Sequence, residues 1–277
     1  MKLLGISLAT LLVMALIWSL LFVFSSQQSY EAYDHPLLNR LNERILALEP
    51  ETFETATEFI EVDPRGGLVV KLHMSKDGHF FTASQNTLDT LFETLKKSSQ
   101  HYVGPKTFLY TYDFLKSQSE DLIPLEAWLQ LKPSFWVIDI LTNAMEVDKY
   151  LIDHLKDKQI DEEIIIRSDT DIIVSSLKES KPQWLFGSSQ SDMTEMLTMA
   201  LVKLEGLPRF NRDIYFSPLN YSGRSVLNGE VFKEIRKRKK KVAIGPVHTE
   251  SEREQALVYE PDILIVSEAY LKEFVLQ

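Results

Sequence analysis

The chain has 277 residues and no cysteine, which excludes disulfides, thiolate metal sites and a cysteine nucleophile. Thirty Lys and Arg stand against 40 Asp and Glu, a net charge of −10 that argues against a nucleic-acid partner on bulk electrostatics.

The first element is an uncharged apolar run over residues 3–24, interrupted only by Ser7, Thr10 and Ser19. A helix of that length spans a roughly 30 Å hydrocarbon core. It exceeds the core of a cleaved secretory signal, about 7 to 15 residues, and bulky Phe24 spoils a cleavage point after Ser25. Lys2 precedes the run while Glu31 and Asp34 follow it, the bias of an N-terminus left inside. The expectation is a single-pass membrane anchor over 1–26, with everything after it periplasmic or extracellular.

A polar tether over 27–36 follows, with a short first strand expected near 30–33. Leu37, Leu38, Leu41, Ile45 and Leu48 recur at helical spacing and predict a helix ending near Pro50. A second helix is predicted over 51–61, before Pro64-Arg65-Gly66-Gly67 breaks it. Apolar runs at 68–74, 135–141, 163–166, 184–186, 214–216, 242–244 and 263–266 then read as buried parallel strands. Helical segments at 144–155, 171–179, 192–204, 229–238 and 250–258 alternate with them, each read as carrying an apolar stripe.

Strand–helix alternation implies a parallel sheet, and seven strands plus the one near 30–33 predict a (β/α)8 TIM barrel over 37–277. A doubly wound open sheet is the alternative, but no glycine-rich phosphate loop follows a predicted strand. Residues 78–132 depart from the rhythm and read as an excursion on the active face.

Several segments share a pattern. Leu68-Val-Val-Lys-Leu-His-Met-Ser-Lys-Asp-Gly78 leads to Phe81-Thr-Ala-Ser-Gln-Asn-Thr-Leu88, and Pro50-Glu51-Thr52 opens the second helix. Ile123-Pro-Leu-Glu126, Trp136-Val-Ile-Asp-Ile140 and Pro261-Asp-Ile-Leu-Ile-Val266 follow in order. Together they resemble the glycerophosphodiester phosphodiesterases over about residues 33–275. The resemblance implies a barrel that hydrolyses glycerophosphodiesters to glycerol 3-phosphate and an alcohol. It also implies a divalent metal on three carboxylates, with two histidines as general acid and base.

Position by position, the family's E-x-D metal ligands fall on Val69 and Lys71, and its third ligand on Asp139. Its second histidine falls on Ser84 and the following Asp on Gln85. The first histidine, at the end of strand one, has His35 as its candidate, with Glu51 opening the helix beyond; His248 is a candidate replacement acid–base group. Lys71 and Asp139 are expected to pair on adjacent strands, and no metal is expected there; calcium or magnesium would belong only to an active enzyme. His73 and His79, around the turn at 75–78, read as rim positions. Arg236-Lys-Arg-Lys-Lys-Lys241 closes a helix and reads as a solvated end, or as a patch for anionic lipid headgroups. No G-x-S-x-G elbow supports a serine hydrolase. The expectation is a catalytically degenerate relative that binds a phospholipid-derived or other anionic ligand, or an envelope partner; the alternative is a working phosphodiesterase.

Overall fold

The computed structural model describes residues 12–21, 23, 33–98, 102–221 and 224–274. The apolar run at 3–24 lies largely outside them. Its described residues, 12–21 and 23, are helical, and no described helix is long and apolar enough to cross a membrane.

Eight parallel strands form the barrel: β1 (Ile45–Glu49), β2 (Gly67–Met74), β5 (Phe135–Ile140), β6 (Ile164–Ser168), β7 (Leu185–Phe186), β8 (Ile214–Ser217), β11 (Lys241–Val247) and β12 (Ile263–Ser267). They pair in the order β7-β6-β5-β2-β1-β12-β11-β8. One bridge, Gly187 to Ile214, holds the seam between β7 and β8, with Asp213 N donating to Phe186 O and Ser188 N to Ile214 O at 2.8 Å each. The ring is therefore nearly closed. Short strands β3 (Phe80–Thr82) and β4 (Ile123–Pro124) extend β2 into the excursion, and β9 (Asn220–Tyr221) and β10 (Arg224–Ser225) make a hairpin after β8.

The helices are α1 (Pro36–Arg40), α2 (Phe53–Val62), α3 (Gln85–Ser98), α4 (Tyr112–Gln118), α5 (Leu125–Trp128), α6 (Val147–Leu155), α7 (Asp171–Ser180), α8 (Gln190–Leu201), α9 (Gly229–Lys237), α10 (Glu250–Leu257) and α11 (Glu268–Phe274). The excursion has its own small core, in which Phe81 meets Leu88, Leu91 and Leu95 of α3 and Leu115 of α4.

Barrel closure depends on alternation along each strand. Ala47, Val69, Val137, Ile165, Ile214, Ala243 and Ile265 point inward and share one cluster with Leu37, Leu38 and Leu41, so α1 and the residue after it plug the lower, N-terminal end. The opposite faces of the strands pack outward against the helices.

Two expectations need correcting. The helix predicted from Leu37 to Leu48 splits into α1 and β1, and β1 is the first barrel strand; Tyr33 lies in irregular structure, and 30–32 fall outside the described residues. A barrel strand is buried on both faces, so Ala47 and Leu48 are both fully enclosed and its apolar run mimics helical spacing. The stripe expected on α10 is also missing: only Ala256 is buried there.

The basic run at 236–241 is mostly consumed at the lower rim. Arg236 donates to Tyr259 O and Glu260 O at 2.5 and 2.6 Å, and buried Arg238 to Glu234 and Gly206. Lys240 pairs with Asp213 at 3.3 Å, and Lys241 with Asp262 at 3.2 Å.

Candidate active site at the barrel mouth

The inward series that holds Ala47, Val69, Val137 and Ile165 continues upward to Glu49, Lys71, Asp139 and Arg167, at the C-terminal ends of four adjacent strands. Catalytic groups sit at this end in barrels of this kind. Lys71 is in register with Asp139, and Asp139 with Arg167. The ion pairs, however, are Lys71 Nζ to Glu49 Oε1 at 2.6 Å and Arg167 Nη1 to Asp139 Oδ2 at 3.3 Å. The expected Lys71–Asp139 bond is therefore replaced by two pairs, because Lys71 reaches Glu49 on one neighbouring strand and Asp139 is met by Arg167 on the other side. Burial pushes the Asp139 carboxyl up, against the pull of Arg167 and Lys71.

Above Lys71 on the same face, the His73 ring packs against Phe81 at a ring separation of 5.9 Å and a tilt of 32°. Burial pushes its imidazole down to about 4, so it is neutral at physiological pH. Past β7, the Arg167 guanidinium lies 5.3 Å from the centre of the Phe216 ring of β8. That ring occupies the space a side chain would take at Gly187, where a Cβ would come within 2.6 Å of it. Arg167 Nε is buried without a hydrogen-bond partner.

Among the described residues no contact joins the other expected residues to this ring of charged groups. His35 is at the lower end, where its Nδ1 accepts from Leu37 N at 3.2 Å to cap α1 and its Nε2 meets Gln183 O at 3.1 Å. It cannot be an acid–base group at the mouth. The end of strand one is Glu49, which the helical spacing of apolar residues over 37–48 conceals in the sequence. Glu51 contributes its backbone N–H to Glu268 Oε2 at 2.7 Å, alongside Thr52 N at 2.8 Å, so the buried Glu268, just past the neighbouring strand β12, holds the start of α2. Ser84 is an exposed cap of α3, accepting from Thr87 N at 3.1 Å. Exposed His248 follows β11, and its backbone N–H donates to Glu252 Oε2 at 2.6 Å. Of the predicted set, the fold brings only Lys71 and Asp139 together, and it adds Glu49, Arg167 and His73.

A divalent ion does not fit this donor set. Each carboxylate of the ring is paired with a cation on a neighbouring strand, so an added dication would have to displace an ammonium or a guanidinium. Among the described residues no group of three or more His, Asp or Glu is placed to hold a metal.

No protein-family model matches the sequence, and no curated protein matches it. Solved structures do. The glycerophosphoryl diester phosphodiesterase domain of a Mycobacterium tuberculosis protein superposes with a TM-score of 0.60 at 12% identity, covering 82% of this chain and 97% of that one. The fold is that of the glycerophosphodiester phosphodiesterases. An Oleispira antarctica phosphodiesterase, in complex with the product sn-glycerol-3-phosphate, gives 0.56 at 11% identity over 83% of this chain and 94% of its own. The glycerophosphodiester phosphodiesterase of Agrobacterium tumefaciens gives 0.54 at 10%, over 82% and 96%.

Proposed function

We propose that this chain is a glycerophosphodiester phosphodiesterase-like barrel without metal-dependent hydrolysis, which binds an anionic phosphoester ligand at Lys71. The observation that carries the reading is the internal cation. Where the resemblance puts a metal-binding carboxylate, the mouth presents an ammonium that is 44% exposed and makes one hydrogen bond, to Glu49. An ammonium has three donors, so two remain for a ligand oxygen. The ligand class follows from the fold relatives, one of which holds sn-glycerol-3-phosphate. The apolar run at 3–24 supports the further reading that the barrel is tethered to a membrane, outside the cytoplasm.

Glycerophosphocholine and glycerophosphoethanolamine, offered to the full chain with and without calcium or magnesium, should give no glycerol 3-phosphate. Calorimetry with sn-glycerol 3-phosphate should show binding that Lys71→Met removes. Metal-dependent product would overturn the reading in favour of a working hydrolase.

A further inference from the structure

A cavity of about 450 Å³ lies away from the mouth, outside the barrel wall between α10 and α11. That volume falls within the range of small-molecule sites. Its floor is the outward face of β1 and β12, formed by Leu46, Leu264 and Val266. In a barrel of this kind a helix with an apolar stripe normally seals such a wall. Here α10 turns Glu250, Arg253 and Leu257, at i, i+3 and i+7, toward the apolar floor and buries only Ala256. The cavity is the space left by that mismatch.

Its polar groups are unevenly satisfied. At the upper end Glu250 accepts from Tyr270 Oη and from Arg253 Nη1, each at 2.6 Å, so this carboxylate is neutralised within the wall. At the lower end Arg44, exposed at the start of β1, makes no ion pair among the described residues. The cavity thus combines an apolar trough with one unneutralised cation at its foot.

We propose that this trough binds a single-chain anionic amphiphile, with the acyl chain along Leu46, Leu264, Val266 and Leu257 and the anionic head at Arg44. Binding removes the chain's own apolar surface and the half-buried Leu46 and Leu257 from water, over a floor of Leu264 and Val266 that is already enclosed, and a guanidinium suits a planar carboxylate or a phosphate in two-point contact. The occupant is a lipid rather than a peptide because the one charge of the lining left without an ion pair among the described residues sits at one end of the apolar floor, while Glu250 and Arg253 at the other end neutralise each other. A carboxylate head and a phosphate head are the two sources of that chemistry.

The test uses the full chain in phosphatidylcholine nanodiscs and a laurate probe carrying a mid-chain diazirine. Photolysis should label the tryptic peptides 45–65 and 254–272, which contain the floor. Laurate and lauroyl lysophosphatidate should both compete, whichever is stronger naming the head, and dodecanol should compete at least about tenfold less well. Arg44→Glu should weaken laurate competition by about tenfold without moving the thermal midpoint, and Leu46→Trp should abolish labelling by filling the trough. Labelling confined to other peptides would overturn the proposal, as would dodecanol competing equally or Arg44→Glu having no effect. If Leu46→Trp fails to fold, exposed Arg44 still carries the test.

Discussion

Both ends of the barrel carry lysine–carboxylate pairs, and the two ends use them differently. At the lower rim Lys241 gives its three donors to Leu41 O at 3.1 Å, Asn42 Oδ1 at 2.9 Å and Asp262 Oδ1 at 3.2 Å, with its side chain 15% exposed. At the mouth Lys71 makes one bond among the described residues, to Glu49, with its side chain 44% exposed. A saturated ammonium ties elements together, here the plug after α1 to the starts of β11 and β12. An unsaturated one on the inner face of the active end is held ready for something else. The difference separates structural charge from functional charge by counting donors, where the sequence shows lysine in both places.

The largest expected effect tests that separation directly. Lys241→Met should cost roughly 2 to 3 kcal/mol in urea unfolding, because it removes three hydrogen bonds from a charged donor and leaves half-buried Asp262 without its cation. Lys71→Met should cost less than about 1 kcal/mol, the scale of an exposed pair, while removing ligand binding. Equal losses of stability would break the comparison.

The sequence made the alternation of strands and helices legible, and with it the barrel, because β2, β5, β6, β8, β11 and β12 are apolar runs bounded by polar helices. It misplaced β1, since Leu37, Leu38 and Leu41 belong to a plug whose spacing happens to continue into Ile45 and Leu48. That single error moved the end of strand one from Glu49 to His35, at opposite ends of the barrel. Lys71 and Asp139 were found from the family pattern, but their partners were not. Which of two neighbouring carboxylates an ammonium selects depends on strand stagger, and the chain order carries no direct signal of it. Arg167 had a faint one: it is the only charge in the apolar stretch 164–168, where alternation already points it inward.

A smaller effect concerns His73 at the top of the same inner face. Its imidazole titrates near 4 in the folded chain and near 6.5 when unfolded, so between those values the unfolded chain binds the extra proton. Stability from this residue is complete above about pH 6.5 and declines as pH falls toward 4, by at most about 3 kcal/mol. Carboxylates held low, such as Asp77 and Glu268, lose their contributions at the acid end of that range and below, so the informative quantity is a difference. His73→Leu should flatten the wild-type decline between pH 6.5 and 4. If the two profiles fall in parallel, the histidine is hydrated and the mouth is wetter than its packing against Phe81 implies.

The smallest effect separates the mouth from residues matched to it by pattern alone. Ser84 caps α3, and replacing a serine cap by alanine typically costs about 1 kcal/mol. Ser84→Ala should therefore lower the unfolding midpoint slightly and leave the affinity for sn-glycerol 3-phosphate unchanged. His248 joins its surroundings through its backbone N–H, which any substitution short of proline keeps, so His248→Ala should stay within about 0.5 kcal/mol of wild type. A clear loss of binding in Ser84→Ala would bring the excursion down over the mouth as part of the site. The contrast would then lie between the two rims and the excursion together, because the ligand would touch a helix cap as well as the open lysine.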